Sequence, residues 1–319
     1  MEKNKFDWHM AMPLIAAAVT LALHKVIPKN SDILTRDYNW LSILLTSLII
    51  IFLAVIIISF LNPVLRRKYI YKSKFITGEI TALCIYNLIT LKFNLIPPVY
   101  FPYPDRILNV FFEEIDLLAT CLLYSLRLLF TGVFFGGIVG VVTGILVGWS
   151  EKASYWVAPL VKFIGPIPAT VWIPIALVVF PTSYAASAFI VALSMWFPTA
   201  LMTSSGIQNL EKSYFEVSKT LGAPSYYQVL KIAIPGALPS IFTVFFNGIT
   251  SSFLTLMTAE MIGVKYGIGW YVNWQREVMA FSNVYAGLIV IGIMCSLVLG
   301  IMFKIRDKLL TWQKGVIKW

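Results

Sequence analysis

The chain has 319 residues, 59% of them hydrophobic and 13% charged, where a soluble domain averages about 45–50% and about 25%. One soluble core cannot hide that much apolar surface, which excludes a soluble enzyme. The net charge of +10 sits in short basic runs between apolar segments, the pattern of membrane topology and not of a nucleic-acid partner.

In chain order, the stretch from Trp8 to Ile27 is a first, weaker span interrupted by His24. It lacks a cleavage site preceded by a basic n-region, so it reads as an anchor and not a cleaved signal. Leu41 to Leu61 is the clearest span, about the 20 apolar residues a bilayer requires. Arg66, Arg67, Lys68, Lys72 and Lys74 follow it and mark the cytoplasmic side. The next span runs from Phe75 to about Ile96, and Pro97, Pro98, Pro102 and Pro104 end it in an extracytoplasmic turn. Ile107 to Ile115, with Glu113 and Glu114, reads as a short interfacial helix. Further spans are Leu118 to Trp149, Trp156 to Phe180, Ala185 to Ser205, Gly236 to Gly263, and Val284 to Phe303. Eight spans put both termini, the 66–74 stretch, the 206–235 segment and the tail with Lys304, Arg306 and Lys308 in the cytoplasm. Asp105, Glu113, Glu114 and Asp116 then face outward. If the first segment lies on the surface, seven spans remain and the N-terminus moves outside.

The three cysteines, Cys84, Cys121 and Cys295, all fall in apolar stretches, and the only histidines are His9 and His24. Neither a metal site nor a catalytic constellation is expected from them. Gly132, Gly136, Gly140, Gly144 and Gly148 recur every fourth residue along one span, with Gly137 beside them. That face lets another helix approach closely, within the chain or at a dimer seam.

The polar insert 206–235 carries Leu210, Tyr214, Val217 and Leu221 at helical spacing. Gly222 stops that helix, and Pro224 or Ser225 starts a second, so the helices are expected at 208–221 and 225–234. The pair either projects into the cytoplasm toward a partner or lies against the membrane surface.

Here a resemblance enters. Glu216-Val-Ser, Gly222, Ile232 and Ile234-Pro235 follow the spacing Glu-Ala-Ala-x3-Gly-x9-Ile-x-Leu-Pro. They resemble the coupling signature of binding-protein-dependent ABC importer permeases, with Val217, Ser218 and Ile234 as mild departures. Ile167-Pro168, Trp172-Ile173-Pro174, Thr258-Ala-Glu260-Met-Ile-Gly263 and Tyr266-Gly267-Ile-Gly269 are similar to the nitrate/sulfonate/taurine branch. The resemblance runs from about Leu95 to Trp312 and leaves 1–70 as an extension with two spans, ahead of a permease domain over 71–319. It implies an all-α membrane fold of the type I importer class, a six-helix core plus two N-terminal helices. It also implies a second permease copy, an extracytoplasmic solute-binding protein, and cytoplasmic ATPase subunits that bind ATP and Mg. The coupling role falls on Glu216, Gly222, Ala223, Pro224, Ile232 and Pro235. The residues agree on one independent point: no G-x-x-x-x-G-K-[S/T] phosphate loop occurs in the sequence. No catalytic residue and no cofactor of the chain's own is expected.

Polar groups inside spans are costly and mark candidate paths. Asn247, Thr250, Ser251, Thr255 and Thr258 share one broad face of the span 236–263. They either line a route for a small anion or bond neighbouring helices. Glu260 reads as structural, pairing with Arg276 or the Gly263–Gly269 loop. Lys92 and Lys162 are expected to snorkel; Arg127 either snorkels or attracts an anion. Trp172 and Trp196 are gate or packing residues. The rival reading is a gradient-driven secondary transporter, but Glu79 and Glu260 are nearly all the intramembrane carboxylate it would have.

Overall fold

The computed structural model describes residues 7–30 and 38–309, helical throughout except for turns. Six of its helices are long and apolar enough to cross a membrane, or seven if one sharply bent pair is a single span. The chain ends, which a count of eight spans would put on the cytoplasmic side, lie outside the described residues. Two compact units form, one from Met1–Ile115 with Gln275–Ala286 and the other from Asp116–Trp274 with Gly287–Trp319. The expected division at residue 70 falls in the middle of a helix.

The first unit begins with α1 (Met12–Val26), α2 (Trp40–Leu61) and α3 (Pro63–Asn87). With 15 residues, α1 rises only about 22 Å, short of a full span. Met10, Ala17, Phe52, Tyr69 and Ile80 form the buried core of this bundle. The helix that carries the span expected from Phe75 starts earlier, at Pro63. The Asn62 side chain accepts hydrogen bonds from the N–H groups of Val64 (3.1 Å) and Leu65 (3.3 Å), and Pro63 suits a first helical turn. The basic residues 66–74 therefore belong to the helix, as good helix formers can. A π turn, Leu88–Lys92, ends α3. The interfacial helix appears as α4 (Pro104–Glu113), with Ile107 and Val110 buried and Phe112 exposed. Trp40 stacks on Phe112 at 3.7 Å, and its indole N–H donates to Asn109 at 3.0 Å.

The second unit takes in most of α5 (Ile115–Trp149), then α6 (Glu151–Ile164), α7 (Ile173–Val179), α8 (Ser183–Gln208), α9 (Lys212–Thr220), α10 (Ser225–Gln228) and α11 (Ile234–Gly263). The chain ends through α12 (Ile268–Glu277) and α13 (Phe281–Leu309). Leu128 and Leu129 of α5, Val191 of α8, Ile249, Phe253 and Leu256 of α11, and Met294 and Val298 of α13 share one core.

Two expectations are corrected here. The span Trp156–Phe180 is not continuous: Glu151–Ile164 and Ala169–Val179 meet at 88°. Pro166 and Pro168 cannot donate backbone hydrogen bonds, so the helix cannot pass through Gly165–Pro168. The second helix of the insert does not end at residue 234. It runs from Ser225 through a π turn, Val229–Ala233, into α11 as one 39-residue rod. Pro235 lacks an N–H and clashes with the carbonyl four residues back, and a wider π turn just ahead of it relieves that conflict.

Candidate transport path and coupling segment

The glycine ladder of α5 faces α8 of the same chain. A Cβ on Gly132 would strike Val191, and one on Gly136 would strike the Ala192 backbone. At Gly140 it would lie 2.7 Å from Thr199 Cβ, at Gly144 2.7 Å from the Ala200 carbonyl, and at Gly148 3.0 Å from Ser204 Cα. Five consecutive turns of α5 thus touch α8 with no side chain of their own between, which gives α5 and α8 one fixed register. Trp196 donates its indole N–H to Thr143 at 3.2 Å, a packing contact across the same seam. Trp172 is half-buried on the 3-10 turn before α7.

On α11 the structure divides the predicted polar face. Asn247, Thr250 and Ser251 are exposed, and Thr258 is half-buried. Thr255 is buried instead, only 6% exposed, and donates to the Ser251 carbonyl at 3.1 Å. Thr250 and Thr258 likewise donate to carbonyls four residues back, at 3.1 Å each. A hydroxyl bonded in this way keeps its oxygen lone pairs, and rotating away frees its proton for a passing solute. Asn247 makes no hydrogen bond among the described residues, so its amide offers two donors directly.

Toward the N-terminal end of α5, Arg127 is exposed and its guanidinium carbon lies 5.2 Å from the Tyr184 ring centre, a cation–π distance. Tyr184 also meets Thr131, hydroxyl to hydroxyl, at 2.9 Å. Its ring forms part of a cavity of about 360 Å³ shared with Tyr124, Tyr266 and Lys265. Lys265 escaped the sequence reading because it sits in a turn and not in a span. Its signal was the flanking glycines of the Gly263–Gly269 loop. Lys162 is exposed on α6.

Glu260 pairs with the loop. It is fully buried and accepts the Gly269 N–H at 2.8 Å. Ser125 of α5 accepts the neighbouring Ile268 N–H at 2.9 Å. Gly267 has φ +148°, and a Cβ there would lie 2.5 Å from the Glu260 carboxyl carbon, so only glycine lets the loop close on the carboxylate. Removing the acceptor would strand a buried N–H, which costs about 1–3 kcal/mol. Glu260→Ala is therefore expected to lower the unfolding temperature in detergent, and Glu260→Gln, which keeps an acceptor oxygen, to lower it less. Equal losses would show that the carboxylate's charge, not its hydrogen bond, holds the loop.

The insert is built around its turn. The Ala223 N–H donates to the Ser218 carbonyl at 3.0 Å and the Gly222 N–H to the Lys219 carbonyl at 2.9 Å. Gly222 has φ +80°. Together these make a Schellman cap, whose left-handed position favours glycine. Pro224 then precedes α10, and the buried Gln228 amide reaches back to the Ala223 carbonyl at 3.5 Å. Phe215 meets Trp149 edge-to-face at 5.5 Å, and Ala233 packs with Ile207, Ala237 and Ile241. Ile232 is half-buried and Pro235 exposed. The opposite side of the insert is open. Tyr214, Val217, Leu221 and Tyr226 are 57%, 58%, 82% and 69% exposed, and Glu216 is exposed beside them. The residues whose spacing predicted an amphipathic helix thus present much of their apolar face outward from a capped, anchored turn.

Residues 136–311 match the binding-protein-dependent transport system inner membrane component family. That is more than half of the chain, which therefore belongs to this family of ABC importer permeases. The taurine transport system permease protein TauC of Escherichia coli is 26% identical over 70% of this chain and 84% of its own length. The bicarbonate transport system permease protein CmpB of Synechococcus elongatus is 28% identical over 61% and 68%. The nitrate import permease protein NrtB of Leptolyngbya laminosa is 28% identical over 53% and 61%. Among solved structures, a chain of the inward-facing MetNI methionine ABC transporter superposes with a TM-score of 0.54 at 18% identity. It covers 65% of this chain and 99% of the MetNI chain, a likeness of fold.

Proposed function

We propose that this permease conducts a small anion of the sulfonate, nitrate, taurine or bicarbonate kind. The observation that carries the reading is the exposed row Asn247, Thr250 and Ser251 on α11. A membrane helix leaves such groups outward only where water, a solute or another chain meets them. A second copy related by a two-fold axis would bring two such rows around one path. Neutral donors bind an anion without trapping it. Arg127 and Lys265 raise its local concentration at the entrance.

The coupling segment fits the same account. An exposed apolar knob on a rigid turn, Tyr214 to Tyr226 with Glu216 beside it, suits a groove on a cytoplasmic ATPase. ATP and Mg belong to that partner, and an extracytoplasmic binding protein delivers the solute. The basic residues 66–74 then lie in the cytoplasm. The secondary-transporter alternative is left with Glu79 of α3 alone, since Glu260 is engaged by the Gly269 N–H, where ion coupling favours several intramembrane carboxylates.

Uptake by proteoliposomes supplied with the ATPase and the binding protein tests the path. Thr250→Val removes one hydrogen bond, about 0.5–1.5 kcal/mol, and is expected to cut uptake about two- to tenfold. Thr255→Val should leave uptake near normal. Arg127→Gln should weaken uptake most at low salt and subsaturating solute, where attraction is least screened. Normal uptake in Thr250→Val and an unchanged salt dependence in Arg127→Gln would move the path to α7 and α8.

A further inference from the structure

Outside the family match, the hairpin of α2 and α3 sets opposite chemistry side by side. Asn62 separates the two helices, and Phe52 of α2 shares a buried core with Tyr69 of α3. The first turns of α3 therefore stand level with the second half of α2, about 13 Å of helix from Phe52 to Leu61. That half has no charged residue, and Ile57 and Leu61 on it are 64% and 83% exposed. Side chains of this kind face acyl chains and not water, so lipid surrounds this end of the hairpin.

At the same level α3 is basic. By helical spacing Arg67, Lys68, Lys72 and Lys74 share one broad face with Tyr71 and Phe75, and all six are exposed. Tyr69, Ser73 and Ile80 on the opposite face are buried. None of the four cations makes a hydrogen bond or an ion pair among the described residues. Lys92, after the other end of α3, shows the contrast. It is buried and donates to the carbonyls of His24 and Ile27 at 2.6 Å each, groups a helix leaves unpaired at its end. Lys92 is thus a buried cap, contrary to the expectation that it snorkels.

The chain's own carboxylates do not serve the basic face. Glu79, the one carboxylate of α3, stands about 10 Å along the helix from Lys72. Asp7 accepts the His9 N–H at 3.0 Å, and residues 1–6 carry Lys3 and Lys5 against Glu2. Asp32 and Asp37 are tethered at the other end: Asn30 donates its N–H to the Leu91 carbonyl at 3.2 Å, and Tyr38 packs against Leu91. A link of that length extends at most about 14 Å from its anchors before it must return. Lys68 lies about 33 Å from Leu91 along the helix.

We propose that this face of α3 binds the phosphates of anionic phospholipids in the leaflet beside it, with Tyr71 and Phe75 seated among the headgroups. The apolar flank of α2 favours lipid as the source. Headgroups already surround this end of the hairpin, whereas a free anion or an acidic protein would have to displace them. Long basic side chains reach headgroup depth from a helix flanked by acyl chains. A zwitterionic headgroup brings a cation with each phosphate, so a net-negative lipid suits the face better. The inference is independent of the transport path and of the coupling segment.

Titration of the purified full chain in detergent with phosphatidylglycerol or phosphatidylcholine, read by native mass spectrometry, tests it. Phosphatidylglycerol should bind with the lower Kd. Each basic residue at an anionic surface contributes about fivefold, so Lys68→Gln should raise that Kd about fivefold. Arg67→Gln/Lys68→Gln/Lys72→Gln should raise it by about tenfold or more. Arg67→Lys/Lys68→Arg/Lys72→Arg should leave it unchanged. All these positions are exposed, so the unfolding temperature without lipid should stay the same. Equal Kd for the two lipids, or an unchanged Kd in the triple glutamine variant, overturns the proposal. Displacement of the lipid by inorganic phosphate, but not by sodium chloride of equal ionic strength, would assign the face to a free anion and overturn it too.

Discussion

Gly140→Leu is expected to abolish recovery of folded permease from detergent extracts, and Gly136→Ala to destabilise it measurably. The reason is the absence of space between α5 and α8. A methyl at Gly136 meets the Ala192 backbone, which cannot rotate away as a side chain would. Overpacking of this kind costs about 1–3 kcal/mol. An isobutyl group at Gly140 pushes the helices apart and forfeits dispersion contacts along the whole seam. Gly300 of α13 provides the control, because a Cβ there would meet nothing within 4 Å. Alanine is favoured over glycine inside a helix by roughly 0.5–1 kcal/mol, so Gly300→Ala should be neutral or stabilising. Equal thermal stability of Gly136→Ala and Gly300→Ala would show that the ladder does not hold α5 to α8.

Gly222→Asp is expected to leave the permease folded and to disconnect it from its energy source. Aspartate tolerates the left-handed conformation better than most residues, and a Cβ at Gly222 meets nothing within 4 Å. The backbone strain of the left-handed position is therefore confined to the turn. The carboxylate nevertheless sits beside Leu221 on the exposed apolar knob, where docking would bury it without a partner. ATP-driven uptake should fall at least about tenfold, equivalent to about 1.4 kcal/mol, while ATP hydrolysis by the partner continues. Wild-type coupled uptake in this variant would remove the turn from the docking surface.

Much of this was legible in the residues. Spans announce themselves by length and apolarity, the ladder by its four-residue period, and the coupling turn by Gly222 followed by Pro224. Thr255 shows where the sequence reading lost precision. At 3.6 residues per turn it stands about 80° from Asn247, against about 40° for Ser251. It falls at the edge of the predicted face, and only the packing of α8 against α11 decides which edge is buried. The break at Gly165–Pro168 was written in its prolines, but the apolar residues on both sides continue without interruption and hide it. The early start of α3 was masked in the opposite way, by basic residues that read as a loop until Asn62 and Pro63 are recognised as a cap. Lys92 was not legible at all. Its acceptors belong to α1, 65 or more residues earlier in the chain, and nothing local signals them.

The central claim is that transport by this chain draws on a partner's ATP hydrolysis through the Gly222 turn. The most direct measurement is solute uptake into proteoliposomes containing the permease and its ATPase, with the binding protein and a small anion outside and no ion gradient imposed. The account predicts uptake that requires ATP inside and collapses in Gly222→Asp. Uptake that proceeds without ATP when an ion gradient is applied would contradict it.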